Sequence, residues 1–295
     1  MERAIPQMNW DNERILSRTL ALLEQKPRFD IEASLACNLA CVMCPRDQIT
    51  RPVKVMSRAL MDRLVDWLPR SAEIYFCGIG EPTLNKHLCQ IIERIVNEQR
   101  TVGITTNAMT LDRDLSARLI GAGIDFIQVS FNSLKPDTYR AIMVGADPEL
   151  IFENLDHLAR IKPQHLRVEL AFTEQEQNMD ETEAVQVFAR ERGFEVQHNL
   201  LHARGGHYSH DYRATSRNEM MGCGIFARRH FISCTGNLLA CCHDLGASTR
   251  LGNIAEMSFE ELLAVKRRRV LDNHWFSICR PCDDINRITD LEAVE

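Results

Sequence analysis

The chemistry this chain can do is concentrated in its cysteines. There are eleven in 295 residues, an odd number, and their close spacings point to metal or redox chemistry and not to a disulfide framework. Cys37, Cys41 and Cys44 stand at C-x3-C-x2-C spacing on one loop and leave one coordination position of a metal site open. A structural zinc site closes itself with four ligands, whereas a 4Fe-4S cubane held by three thiolates keeps one iron free for a small molecule. The second group, Cys223, Cys241, Cys279 and Cys282, supplies four well-separated thiols that can enclose a metal completely. Its Cys279-Arg-Pro-Cys282 ending is as typical of zinc as of iron, and spacing leaves both open. Cys77, Cys89, Cys234 and Cys242 remain, and unassigned buried cysteines generally pack as small hydrophobes.

These thiols need a scaffold, and the chain alternates short β-branched or apolar runs with amphipathic helical stretches, the pattern of βα units. Strands are expected at Phe29 to Ser34, Ala72 to Cys77, Thr101 to Thr106, Phe126 to Phe131, Leu166 to Phe172 and Glu195 to Leu201. The three-thiol loop directly follows the first of them, at the strand end where such folds place chemistry. Ser57 is placed to cap a helix whose Leu60, Met61, Leu64, Val65 and Leu68 form one apolar face. Asp180-Glu-Thr-Glu183 reads as a capping-box variant opening the fifth helix, with Gly193 at its C-terminal end, and Ser258-Phe-Glu-Glu261 reads as a second capping box. Six parallel strands fit an open doubly wound sheet or a partial barrel, and periodicity alone does not separate them.

Composition narrows the class. Hydrophobic residues make up 45% and charged residues 26%, near the soluble globular average. A net charge of −6, from 41 acidic and 35 basic residues, gives no general reason to bind nucleic acid or an anionic membrane. No apolar run approaches the ~20 residues of a membrane span, and Met1 to Pro6 lacks the apolar core of a signal peptide, so the expected location is the cytoplasm. His198, His202, His207 and His210 are irregularly spaced in and before a polar, glycine-containing segment, which argues for a loop and against a metal site. Lys266-Arg-Arg-Arg269 is expected to form a solvated helix face.

The Cys37, Cys41 and Cys44 loop resembles the signature of the radical S-adenosylmethionine (radical SAM) superfamily, and further segments follow in that family's order. Phe76-Cys-Gly-Ile-Gly-Glu-Pro82 is similar to its Gly-Gly-Glu-Pro segment, with Ile79 in place of the first glycine. Thr105-Thr-Asn107 is similar to Thr-Asn-Gly, with Ala108 for glycine, and Val129-Ser-Phe-Asn132 to Val-Ser-x-Asp, with Asn132 for aspartate. Tyr139-Arg-Ala-Ile142 matches a common following helix. Over residues 29 to 203 the resemblance implies a partial (β/α)6 barrel. It also implies SAM chelated to the open iron, with Gly80, Glu81, Pro82, Asn107 and Ser130 around it and Met43 against the adenine. One-electron cleavage of SAM then gives a 5'-deoxyadenosyl radical that abstracts a hydrogen atom from substrate.

Residues 223 to 285 resemble SPASM domains and, with no cysteine after Cys282, their shorter Twitch form with one auxiliary 4Fe-4S cluster. Leu251-Gly-Asn-Ile254 and Ser258-Phe-Glu-Glu-Leu262 match the same region. The implied organisation is an N-terminal helical extension over 1–28, the radical SAM barrel over 29–205, a linker over 206–222 and the auxiliary domain over 223–295. The implied activity is oxidation or epimerisation of a small sugar- or cyclitol-like molecule or a peptide, with flavodoxin or ferredoxin as electron donor. In epimerases of this family a thiol returns the hydrogen atom, which makes Cys242 and Cys234 candidates. A non-catalytic zinc or electron-transfer protein is the rival, and it predicts no SAM cleavage.

Overall fold

The structure, a computed structural model, describes residues 12–208 and 222–292. A helix α1 (Asn12–Leu23) comes first, followed by alternating strands and helices: β1 (Arg28–Ile31), α2 (Arg58–Trp67), β2 (Glu73–Phe76), α3 (Leu88–Asn97), β3 (Thr101–Thr106) and α4 (Arg113–Gly121). The alternation continues with β4 (Phe126–Ser130), α5 (Pro136–Ile142), α6 (Pro148–Ile161), β5 (Arg167–Glu174), α7 (Thr182–Glu191) and β6 (Glu195–Leu200). After 222 come α8 (Gly224–Arg228), β7 (Arg229–Ile232), β8 (Asn237–Leu239), β9 (Gly252–Asn253), α9 (Phe259–Leu271) and α10 (Asn286–Glu292). Among the described residues the sheet order is β6-β5-β4-β3-β2-β1-β7-β8-β9, parallel from β6 through β7 and antiparallel beyond. All six expected strands are present; β1 and β2 are each four residues long where six were expected, β1 ending at Ile31. The C-terminal region thus extends the barrel's own sheet, because β7 pairs with β1 in register Phe29 to His230 and Ile31 to Ile232.

The two faces of the sheet have opposite character because side chains alternate along each strand. Phe29, Ile31, Ile74, Phe76, Ile104, Val129, Leu170 and Phe172 are buried under the helices. Phe29 meets Trp67 of α2 and Phe259 of α9, and Phe131 meets Tyr139, Phe152 and Phe188 of three further helices. The other face is polar. Gln128 donates to Glu169 and Gln197, both at 2.7 Å, and accepts from Thr105 at 3.1 Å, while Arg28 stacks over Tyr75.

Helix ends show which local signals were sufficient. Ser57 caps α2 by accepting from Leu60 N, Ser258 and Glu261 form the reciprocal capping box of α9, and Gly193 takes φ +65° after α7. The expected capping box at Asp180 to Glu183 does not form. α7 starts at Thr182 without a side-chain cap, because the buried Glu181 carboxylate is committed to Ser133 Oγ (2.7 and 2.9 Å) and Leu134 N (2.6 Å) in the turn after β4, and Asp180 pairs with Lys135. Removing that carboxylate leaves the part-buried Leu134 N–H without it and the buried Ser133 hydroxyl with only Lys135 O, so Glu181→Ala should lower unfolding free energy by about 1–3 kcal/mol in a urea titration; a loss below about 0.5 kcal/mol would show that water replaces it.

α1 packs through Leu22 and Leu23 in one apolar cluster with Ile225, Phe226, Val270 and Leu291, so it covers the C-terminal region and not the barrel helices. Residues 1–11 and most of the expected 206–222 linker, His210 included, lie outside the described residues. No described helix is long and apolar enough to cross a membrane.

Candidate functional site

The three-thiol loop leaves the C-terminal end of β1 and is fixed by backbone bonds. Ala40 and Val42 donate to Val144 and Ile142, both at 2.9 Å, Cys44 N donates to Cys41 O at 3.0 Å, and the Arg46 guanidinium holds Cys37 O at 2.8 Å. The thiols feel one another. Burial pushes Cys41 up to about 12, with Cys44 and Cys37 adding to it, and burial likewise raises Cys44. Three half-buried sulfurs on one loop fixed by backbone bonds, none of them in a disulfide, fit a site completed by a metal group that stabilises thiolate.

The neighbouring strand ends converge on this loop. A Cβ at Gly80 would lie 2.2 Å from Ser34 O and 2.6 Å from Ala36 O, so only glycine lets the β2 turn seat against the loop entry. Pro82 opens a short 3-10 turn. The buried Glu81 carboxylate accepts from Thr83 N (3.1 Å), Thr83 Oγ1 (2.6 Å), Thr106 Oγ1 (2.8 Å) and Asn107 N (2.8 Å), so it clasps the β2 and β3 turns together. Burial raises its pKa and these donors oppose the shift. Asn107 reaches the cysteine loop itself, donating to Asn38 Oδ1 at 2.8 Å with Cys37 Sγ at 3.9 Å. Ala108 holds φ +61°, the left-handed conformation for which glycine is the usual residue. Ser130 ends β4 half-buried and its carbonyl accepts from Tyr139 OH, whereas Asn132 is a staple that accepts from Thr173 N and takes Asn178 Nδ2 on its carbonyl. Met43 is buried in the core. Gly80→Ala should lower unfolding free energy by about 1–3 kcal/mol in a urea titration, because the turn must move off the loop to make room; an unchanged midpoint would mean that the turn shifts at no cost.

Sequence reading missed a buried ion pair beside these turns. Arg51 makes a bidentate pair with Glu32 at 2.7 and 2.6 Å and donates to Leu245 O at 2.9 Å, tying the cysteine loop to the C-terminal region. Glu32 also accepts from Cys234 N at 3.3 Å, and burial, with Glu32 adding to it, pushes the Cys234 thiol up to about 12. Cys242 lies elsewhere: burial and Asp30 push it up to about 11 while Arg204 and Arg229 oppose.

The second group of thiols does come together. Cys223, Cys241, Cys279 and Cys282 line one cavity, whose remaining wall includes Phe226 and His243. Burial is the first cause that raises all four, Cys223 to about 12 and Cys282 to about 11. Four desolvated thiols outside any disulfide, around an apolar cavity, fit a metal group fully ligated by protein.

Next to it His202, His243 and Asp284 converge, with His243 Nε2 at 2.9 Å and His202 Nε2 at 3.8 Å from Asp284. His202 Nδ1 accepts from Arg204 N, so His243 is hydrogen-bonded to Asp284 while His202 adds a longer electrostatic contact between the end of β6 and the C-terminal region. His198 pairs instead with Glu174 at 2.8 Å. The Lys266 to Arg269 run is not uniformly solvated: Lys266 is fully buried, while Arg267 pairs with Glu24 and Arg269 covers Phe276.

Comparison with known proteins decides the family. Residues 31–181, just over half of the chain, match the Radical SAM superfamily, and residues 223–283 match an iron-sulfur cluster-binding domain of the SPASM type. This chain belongs to the radical SAM superfamily. Among curated relatives it is 38% identical over 146 residues to a probable GTP 3',8-cyclase of Methanothermobacter marburgensis, covering 42% of this chain and 47% of the relative. It is 29% identical over 157 residues to the PqqA peptide cyclase of Granulibacter bethesdensis, covering 50% and 40%. The chain spans about half the length of the curated relatives it matches.

Solved radical SAM structures share the fold along nearly the whole chain. BtrN in complex with AdoMet and 2-DOIA superposes with TM-score 0.60 at 19% identity, covering 88% of this chain and 94% of BtrN. Streptococcus suis SuiB bound to its precursor peptide SuiA gives 0.67 at 14%, covering 98% and 78%. The expected partial barrel with an added C-terminal iron-sulfur region is therefore the fold. As a radical SAM protein of this type, its cofactors are a 4Fe-4S cluster, SAM and an auxiliary cluster.

Proposed function

We propose that this radical SAM enzyme oxidises a polar small molecule, an amino-cyclitol or amino sugar, inside the barrel. Cys37, Cys41 and Cys44 hold the first cluster; Cys223, Cys241, Cys279 and Cys282 hold the auxiliary cluster. Gly80, Glu81, Pro82, Asn107 and Ser130 shape the SAM site. The barrel spans 29–205 and the auxiliary region 223–295. When bound, the first cluster and SAM supply a radical that removes one hydrogen atom from substrate, and the auxiliary cluster supplies an acceptor for the electron that remains.

The observation that carries this reading is the adjacency of Cys241 and Cys242. Cys241 lines the auxiliary pocket, while the next residue, Cys242, is in electrostatic reach of Asp30 on β1, Arg229 on β7 and Arg204 in the turn after β6, which supports a substrate space on the other side of that segment. Arg204 also acts on Cys44, which supports a first site on the same side as Cys242. The row Thr105, Gln128, Glu169 and Gln197 offers hydroxyl, amide and carboxylate groups suited to a polyhydroxylated ligand. Loss of a hydrogen atom and an electron leaves a proton, and Glu169 is the carboxylate in that row to take it. Arg51 and Glu32 tie the loop to the C-terminal region, and a fixed wall matters because a carbon radical quenches on any stray hydrogen donor.

A second reading, a peptide substrate, is favoured by the likeness to the PqqA peptide cyclase. The test is 5'-deoxyadenosine release with 2-DOIA, other amino-cyclitols and short peptides, run in D2O. Oxidation of an amino-cyclitol without deuterium at the abstracted carbon supports the proposal. One solvent deuterium at that carbon, lost in Cys242→Ala or Cys234→Ala, indicates epimerisation instead. Turnover of peptides alone overturns the substrate assignment.

A further inference from the structure

Among the described residues Lys266 is the one lysine that is buried, at 0% exposure, and it sits in the middle of α9. Its ammonium donates to Arg229 O at 2.8 Å and lies 3.0 Å from His230 Nδ1. Burial first and then Lys266 itself hold His230 well below its ordinary pKa, so that ring nitrogen is an acceptor. The third neighbour is the face of Phe226, 4.8 Å from Nζ. These partners are neutral, and a desolvated cation ordinarily requires an anion. Phe226 is a wall of the four-thiol cavity, and Cys223, whose sulfur accepts from Phe226 N at 3.4 Å, is another. Burial pulls Lys266 down to about 7, and the groups that oppose this most are Cys223 and Cys241, ahead of Asp30. The negative charge that would balance this lysine therefore belongs on the cavity's ligands.

We propose that Lys266 is the buried counter-charge of the auxiliary cluster, acting on it through the field across Phe226 and favouring its reduced state. The inference rests on the auxiliary-site assignment above. A cubane with four thiolate ligands is anionic and gains one more negative charge on reduction, so a fixed cation behind one wall stabilises the reduced form and raises the potential. Burial is what makes the effect usable, because salt screens an exposed lysine. Lys266 is a positioning charge that touches neither substrate nor SAM.

The test is an EPR-monitored redox titration of the anaerobically reconstituted full chain, with the auxiliary signal identified as the one that survives Cys37→Ala, Cys41→Ala and Cys44→Ala together. Lys266→Met is expected to load wild-type iron and to shift the auxiliary midpoint to more negative potential, while Lys266→Arg, which keeps the charge, stays near wild type. If Lys266→Met does not fold, Lys266→Gln, which keeps a donor for Arg229 O, carries the test with the same expected shift. An auxiliary midpoint unchanged in the neutral variant overturns the role of Lys266 alone. Zinc at the four thiols of the wild-type protein overturns the site assignment and this proposal with it.

Discussion

Replacing any one of Cys37, Cys41 or Cys44 by alanine is expected to abolish SAM cleavage while leaving about four irons per chain, against about eight in the wild-type protein with two cubanes. The reason is geometric. The loop offers three sulfurs, its backbone is locked by Ala40, Val42 and Arg46 contacts, and among the described residues no other cysteine shares that loop. A two-thiolate site cannot retain a cubane with one corner open. Release of 5'-deoxyadenosine should fall by more than about 100-fold, beyond the ~10–100-fold typical of losing an outer-shell partner. The fold should persist, because Cys41 and Cys37 only fringe the core and Leu39 and Met43 supply the loop's buried contacts. Wild-type iron content in two of the three variants would contradict the assignment.

The second large effect belongs to the auxiliary cavity and separates its chemistry from SAM cleavage. Cys241→Ala or Cys282→Ala should again leave about four irons per chain, yet 5'-deoxyadenosine should still form, because the first loop is untouched. Oxidised product should be lost, since the electron from substrate then has no acceptor behind Cys242. These thiols also anchor α8 and the segment before α10 around a cavity that packs against α1 and α9, so loss of the metal group should loosen the C-terminal region. Hydrogen exchange would read this as faster exchange over 223–292 with the barrel strands unchanged. Full product formation in either variant would remove the auxiliary cluster from the reaction.

The barrel was legible in the sequence because short apolar or β-branched runs alternate with amphipathic helical stretches at regular intervals, and all six strands were placed. The same strands carried a second message that periodicity could have delivered: Arg28 and Asp30, Gln128 and Ser130, Glu169, and Gln197 and Asn199 stand two apart, which marks a polar inner face. β7 was not legible, since Arg229-His-Phe-Ile232 is four residues long and is a strand by virtue of pairing with β1, two hundred residues away. Long-range pairing likewise decided Glu181, whose capping position is locally favourable but whose carboxylate serves Ser133 and Leu134. Lys266 reads as part of a basic run, and its burial follows from α9 lying on β7 with that residue turned toward Arg229 and His230. Glu32 and Arg51 show the same limit: each is an ordinary charged residue until the loop closes and joins them.

The cysteine spacings were legible to different depths. C-x3-C-x2-C lies within one loop, so its convergence is a local matter. The four auxiliary thiols are gathered from α8, the end of β8 and the segment before α10, and their meeting in one cavity required the fold.

The central claim is that the N-terminal cubane leaves one iron free and that SAM docks there. The direct measurement is the EPR spectrum of the dithionite-reduced, iron-loaded chain with and without SAM. The N-terminal cluster signal is expected to change on adding SAM, and that change should be absent when Cys37, Cys41 and Cys44 are all alanine. A signal indifferent to SAM, or a mononuclear metal at those three thiols, would contradict the account.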